Sequence, residues 1–269
     1  MTNFTKEYTS NVHLEPKYGY FATFMSIFFF HLVNLVVAYL GPPKSMREDK
    51  WRWKNLIVSW IHALVCSVWC LSSFVLYPDE FHDMIVQGNT FMYLLIAFST
   101  GYFTYDFIDM MLNKKLFKLW EVTLHHIAVA SMFWYNIQVQ ICISYNMVAL
   151  LAEVNSFFLH SRKLLQMVQV HFEHWFYKFV AFLNLVSFVV FRGLSLGGIT
   201  YGMFVWYTRV PRWYYGSICG SMIVMNVMNP ILFWRLLKSD FMRGGSPKVA
   251  QPCKMMNGNN NVKNHVKQH

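Results

Sequence analysis

The chain has 269 residues, of which 55% are hydrophobic, 19% aromatic and only 13% charged. Soluble domains carry about 25% charged residues, so this balance excludes a disordered chain and argues against a soluble enzyme. The formal net charge of +10 raises nucleic acid as a partner, but the placement of the basic residues argues against it. Five cysteines (Cys66, Cys70, Cys142, Cys219 and Cys253) form no CxxC spacing. They suggest neither a disulfide framework nor a zinc site.

Seven apolar stretches read as helices, over 18–40, 55–77, 91–112, 119–137, 140–159, 179–206 and 213–237. Each is near the roughly 20 residues that a bilayer core requires. The first shows no small-residue cleavage site and reads as a span rather than a signal peptide. Only a short link around Gln138 separates the fourth from the fifth, and the over-long sixth contains Gly193, Gly197 and Gly198. Tilting, kinking or breaking is expected there. The fold class is therefore all-α, a polytopic membrane protein of about seven transmembrane helices. Residues 1–17 form an outer segment that includes the sequon Asn3-Phe4-Thr5. Residues 239–269 read as a disordered cytosolic tail, in which Cys253 is a palmitoylation candidate.

The basic residues fall on alternate connections. Segment 41–54, Lys114, Lys115 and Lys118, then Arg162, Lys163 and Lys178, and the region after the last span hold 18 of the 23. The other side has Lys6, Lys17, Arg209 and Arg212, and Arg192 lies within a span. The positive-inside rule places the N-terminus outside and the C-terminus in the cytosol. Positive charge is thus a topogenic signal, with contact to anionic headgroups. Trp51 and Trp53 look like an interfacial anchor.

Asp106, Asp109, Glu121 and Glu153 fall within spans, with Arg192, His125 and His126. A charge at the centre of an inserting helix costs roughly 2.5–3.5 kcal/mol, so these residues are functional candidates expected to face the bundle interior. Helical spacing gives six spans a polar stripe around a shared cavity, for example Tyr102, Asp106 and Asp109, or Asn146, Glu153, Ser156 and His160. Glu121 and His125, one turn apart, are expected to hydrogen-bond, the carboxylate fixing the imidazole tautomer for base or nucleophilic chemistry. His126, about 100° away on the helix, presents elsewhere. Arg192 either binds a carboxylate or phosphate headgroup, or balances Asp106 and Asp109. His31 and His62 are expected as packing residues, and His160, His171 and His174 as solvated ones. No metal site or cofactor is implied.

GYFTYDFIDM (101–110), LWEVTLHHIAVAS (119–131), LLAEVNSFFLHSRKLLQM (150–167) and FVVFRGL (188–194) together resemble the TLC domain, the lipid-linked membrane domain shared by ceramide synthases and smaller relatives. The resemblance covers 50–237 and is closest to the small TLC domain-containing proteins. It implies a barrel of six helices around a lipid-sized cavity, with the first span outside. It places His125 and His126 where paired histidines carry acyl transfer in ceramide synthases, with Glu121 as orienter. Tyr102, Asp106, Asp109, Glu153, Asn155 and Arg192 then become substrate-binding candidates. The Asp-rich stretch of the synthases is replaced by Glu153-Val154-Asn155-Ser156, which argues against sphingoid-base acylation. The subgroup implies regulation of membrane fluidity, limiting entry of long polyunsaturated acyl chains into phospholipids. The partner implied is a phospholipid or fatty-acyl lipid. The plasma membrane is favoured, with the endoplasmic reticulum as the alternative.

Overall fold

The computed structural model describes residues 12 and 14–240. The Asn3 sequon, Cys253 and the tail past Asp240 lie outside the described residues. Among the described residues nine α-helices follow in order: α1 (Pro16–Leu40), α2 (Lys50–Leu76), α3 (Thr90–Leu112), α4 (Trp120–Val139), α5 (Ile143–Leu150), α6 (Ala152–Met167), α7 (Trp175–Ser187), α8 (Gly193–Val205) and α9 (Arg212–Asp240). The protein is an all-α polytopic membrane protein. Pro16–Leu40, Lys50–Leu76, Trp175–Val205 and Arg212–Ser239 are each long and apolar enough to cross a bilayer. The helices α3, α4 and α6 carry Asp106, Asp109, Glu121, His125, His126 and Glu153, which lower their hydropathy.

Local chemistry sets the helix ends. Asp49 accepts from Arg52 N–H at the start of α2, and Asn89 accepts from Met92 N–H at the start of α3. The expected link after the fourth span is residues 140–142, where Gln140 and Cys142 both take positive φ. Cys142 N–H bonds the Ile85 carbonyl, which pins this reversal. The fifth span is not one helix: it breaks at Leu151 into α5 and α6, and α6 runs on to Met167. The over-long sixth span does change pitch, through a π turn at Phe188–Arg192 between α7 and α8. The last helix extends to Asp240, past the expected boundary.

The first helix is amphipathic in the membrane sense. Phe21, Phe24, Phe28, Leu32 and Leu35 are exposed on one face, while Gly19, Thr23, Ser26 and Asn34 are buried on the other. Water offers no drive for association here, so close backbone approach and interhelical hydrogen bonds supply it. Ser26 Oγ donates to the Phe98 carbonyl at 2.6 Å, and Asn34 bonds the Tyr105 hydroxyl. His31 is exposed on the outer face, so it is not the packing residue expected.

Gly101 is a point of close backbone approach in this contact. A Cβ there would lie 2.4 Å from Ser26 Cβ and 2.6 Å from the Thr23 carbonyl oxygen, whereas one at Gly216 would meet nothing within 4 Å. Gly101→Val should therefore lower stability by roughly 1–3 kcal/mol through overpacking, and Gly216→Ala should leave it within about 0.5 kcal/mol. Thermal unfolding of the detergent-solubilised protein checks both.

Candidate functional site

A cleft is walled by α4, α5, α8 and α9 and contains about 1150 Å³ of atom-free space, partly open to the surroundings. Within it, about 180 Å³ can seat the centre of a water-sized sphere. Its long walls are apolar, with Val129, Met132, Leu196, Ile199 and Met203 among them. His125, Arg192 and Asn229 line one end. The helix α1 contributes no lining residue, in keeping with its expected position outside the cavity.

Arg192 ends the π turn, a device that re-aims side chains and recurs at functional sites. Its Nε donates to Asn155 Oδ1 at 2.7 Å, one terminal nitrogen to Asn229 Oδ1 at 2.8 Å, and the other to Ser156 Oγ at 3.1 Å. The guanidinium also sits over the Phe188 ring at 5.5 Å. Asn155 is fully buried, and its own amide group donates to the Asn184 carbonyl at 2.9 Å, one turn before the π turn. Asn155 therefore fixes both the distorted backbone and the cation that the backbone carries. The expected balancing of Arg192 by Asp106 and Asp109 is not what the structure has. All three acceptors are neutral, and among the described residues no carboxylate lies within ion-pair distance of Arg192. Of its five N–H donors, these bonds use three, leaving two at the end of an apolar cleft.

The paired histidines diverge as one helical step requires. His125 faces the cleft, with Nδ1 3.3 Å from Met225 Sδ. His126 turns into the core, with Nδ1 3.1 Å from Asp106 Oδ2. Both His126 and Asp106 are buried, and Asp106 also accepts from the Asn55 amide. The carboxylate–histidine pair thus joins Asp106 to His126. The expected Glu121–His125 hydrogen bond is not formed, because Glu121 is held bidentately by Arg235 at 2.7 and 2.8 Å.

A second histidine–carboxylate contact lies behind the first. His62 is fully buried, with Nδ1 3.7 Å from Glu153 Oε2 and Nε2 3.3 Å from Ser99 Oγ. Its ring stacks on Tyr102 at 3.8 Å and 10°. Asp109 lies toward the helix end and accepts from Trp51 Nε1 at 2.8 Å, so Trp51 is a hydrogen-bonding partner as well as an interfacial aromatic. The candidates therefore separate. Arg192 and His125 meet at the cleft, with Asn155 holding Arg192. Asp106, His126, Tyr102 and Glu153 form a buried polar core, and Asp109 and Glu121 flank it. His160 is half-buried rather than solvated, whereas His171 and His174 are exposed as expected. Asn226 on α9 is exposed.

Asn55, Met225 and Arg235 escaped the sequence reading as site neighbours. Arg235 looked like one more topogenic charge, and no spacing reveals a partner 114 residues away. The contact Glu121–Arg235 is largely exposed on the arginine side, and such pairs contribute about 0–1 kcal/mol. Glu121→Gln should therefore shift stability by less than about 1 kcal/mol. Asp106→Leu, which strips a buried histidine of its partner, should cost roughly 3–5 kcal/mol. Parallel thermal-unfolding curves of the two variants check the contrast.

Comparison with known proteins agrees with this architecture. The sequence profile of the TLC domain matches residues 52–238. The chain is similar to TLC domain-containing protein 2 of Danio rerio, 34% identical over 223 residues, covering 83% of this chain and 90% of the relative. It is also similar to human TLC domain-containing protein 1, 29% identical over 230 residues, covering 84% and 92%. Human TLC domain-containing protein 2 is 30% identical over 204 residues, covering 76% and 77%. No solved structure gives a significant match. With its domain profile spanning most of the chain and a relative aligned along nearly its full length, this polytopic protein belongs to the TLC-domain family.

Proposed function

We propose that the cleft holds a fatty-acyl lipid, with an acidic group at Arg192 and the chain along the apolar walls. Through this site the protein would regulate membrane fluidity and phospholipid fatty-acyl composition, limiting incorporation of long-chain polyunsaturated acyl chains. The cellular role is the one that the family resemblance implies. The binding mode rests on a single observation: a guanidinium with only neutral acceptors, at the end of an otherwise apolar cleft. A half-buried cation is costly when no counter-charge touches it, the Glu153 carboxylate acting on it only from beyond ion-pair distance, and a planar guanidinium with free N–H groups suits a carboxylate or phosphate. In this reading the end at Arg192 faces the cytosol and the N-terminus lies outside, as the basic connections favour, with the plasma membrane as the proposed location.

A second reading, histidine-dependent acyl transfer, is favoured by the imidazole of His125 beside Arg192 and by the Asp106–His126 pair one helical step behind it. In that reading His125 accepts or activates the acyl group.

Asn155→Asp tests the first reading directly. A carboxylate at Arg192 Nε supplies the counter-charge internally, while loss of the amide's donation to the Asn184 carbonyl should lower stability by about 1–3 kcal/mol. The variant should lose acidic acyl lipids at least tenfold, about 1.4 kcal/mol, by mass spectrometry of co-purifying lipid. Undiminished acidic lipid in that variant overturns the reading. His125→Ala separates the two readings: it should retain bound lipid in either case, and abolish phospholipid remodelling in cell lipidomics only if acyl transfer operates.

A further inference from the structure

The cleft has a second polar station, far from Arg192, that the proposed function does not use. The helices α4 and α9 run antiparallel and meet through polar rungs: Glu121–Arg235, His125–Met225, and Asn136–Tyr214. His125 and Asn136 are three turns apart on α4, and Met225 and Tyr214 repeat that spacing on α9. Three turns rise about 16 Å. That is close to the depth of one leaflet, half of a hydrocarbon core about 30 Å thick. Between the two stations the walls are apolar.

The far station is a directional relay. Tyr214 donates its hydroxyl to Asn136 Oδ1 at 2.7 Å, and the Asn136 amide group donates to Asn146 Oδ1 at 3.0 Å. Each link consumes one acceptor, so the relay ends on a donor. That donor, Asn146 Nδ2, is buried without a partner in a residue only 7% exposed. The hydroxyl of the neighbouring Tyr145 is also buried and without a partner. It is seated where Gly202 leaves room, since a Cβ on Gly202 would lie 2.0 Å from it. Asn136, Tyr145, Asn146 and Tyr214 all line the cleft. An unsatisfied buried donor costs about 1–3 kcal/mol, and the hydrocarbon region offers no bulk water to relieve it. Two such groups on neighbouring residues that both line the cleft call for an acceptor from outside the chain.

We infer that this station binds an oxygen on the distal part of the acyl chain, so that the cleft favours a long-chain acid with a hydroxyl group about one leaflet's depth from its acidic end. The inference rests on the reading of Arg192 as the acid-binding end, and it adds a specificity determinant for the tail. The donors reward an oxygen that can accept, and a plain hydrocarbon end leaves them unpaired.

The test compares hexadecanoate with 16-hydroxyhexadecanoate, each competing with a fluorescent fatty acid for the full-length protein in nanodiscs. Tyr145→Phe and Asn146→Leu are measured alongside wild type. The expected result is about tenfold tighter binding of the hydroxy acid by wild type. Each variant should reduce that preference at least threefold, by weakening the hydroxy acid alone. Tyr145→Phe removes a single oxygen and keeps the experiment decisive if Asn146→Leu fails to fold. Equal affinities in wild type, or a preference that survives Tyr145→Phe unchanged, overturn the second station while leaving the Arg192 reading intact. Binding of neither acid overturns both.

Discussion

A guanidinium placed within a bilayer-embedded bundle must be solvated by the protein itself, and much of the site is arranged around that requirement. Asn155, Ser156 and Asn229 come from two helices and converge on Arg192, which a third carries. Asn155 is the central member because both ends of its amide are committed, one to the cation and one to the backbone entering the π turn. Neutral acceptors satisfy geometry without cancelling charge. Apart from the pull of the Glu153 carboxylate beyond contact distance, the cation therefore keeps its electrostatic reach into the cleft, where low polarity strengthens it.

The polar residues divide their work by depth. At the cleft, Arg192, His125 and Asn229 meet an apolar channel. Behind it, Asp106–His126 and His62–Glu153 lie on either side of Tyr102 and Phe103. These inner pairs join α2, α3, α4 and α6 with groups that have no competing water, so they hold the wall against which the cleft is shaped. One helical step between His125 and His126 sends one ring to each compartment. A single dipeptide thereby couples the lining of the site to its support.

The helical spans, the interior polar stripes and the divergence of the two histidines were legible because they depend on local periodicity and hydropathy. The partners were not. Glu121 and His125 carried the right spacing for a hydrogen bond, yet the antiparallel register of α4 against α9 delivers Arg235 to Glu121 instead, and sequence gives no such register. Asp106 and His126 were each legible as interior groups, but their pairing depends on how α3 crosses α4. The break at Leu151 was invisible because Leu150-Leu151-Ala152 is continuously apolar, without Gly or Pro to mark it. Asn55 opens the expected second span beside basic residues, with no local pattern to single it out, whereas the fold turns it onto Asp106.

The π turn sets a phase relation between the two halves of the long Trp175–Val205 passage. Uniform α pitch through Phe188–Arg192 with the same number of residues would rotate the facing of everything downstream by about 100°. Ser195 and Gly202, now buried toward α5, would swing with it. The number of residues in this stretch is thus constrained more tightly than their identity. Side-chain substitutions at Val189 or Val190, which are exposed, leave the phase untouched, whereas one insertion there would turn the cation about 100° away from its three holders at once.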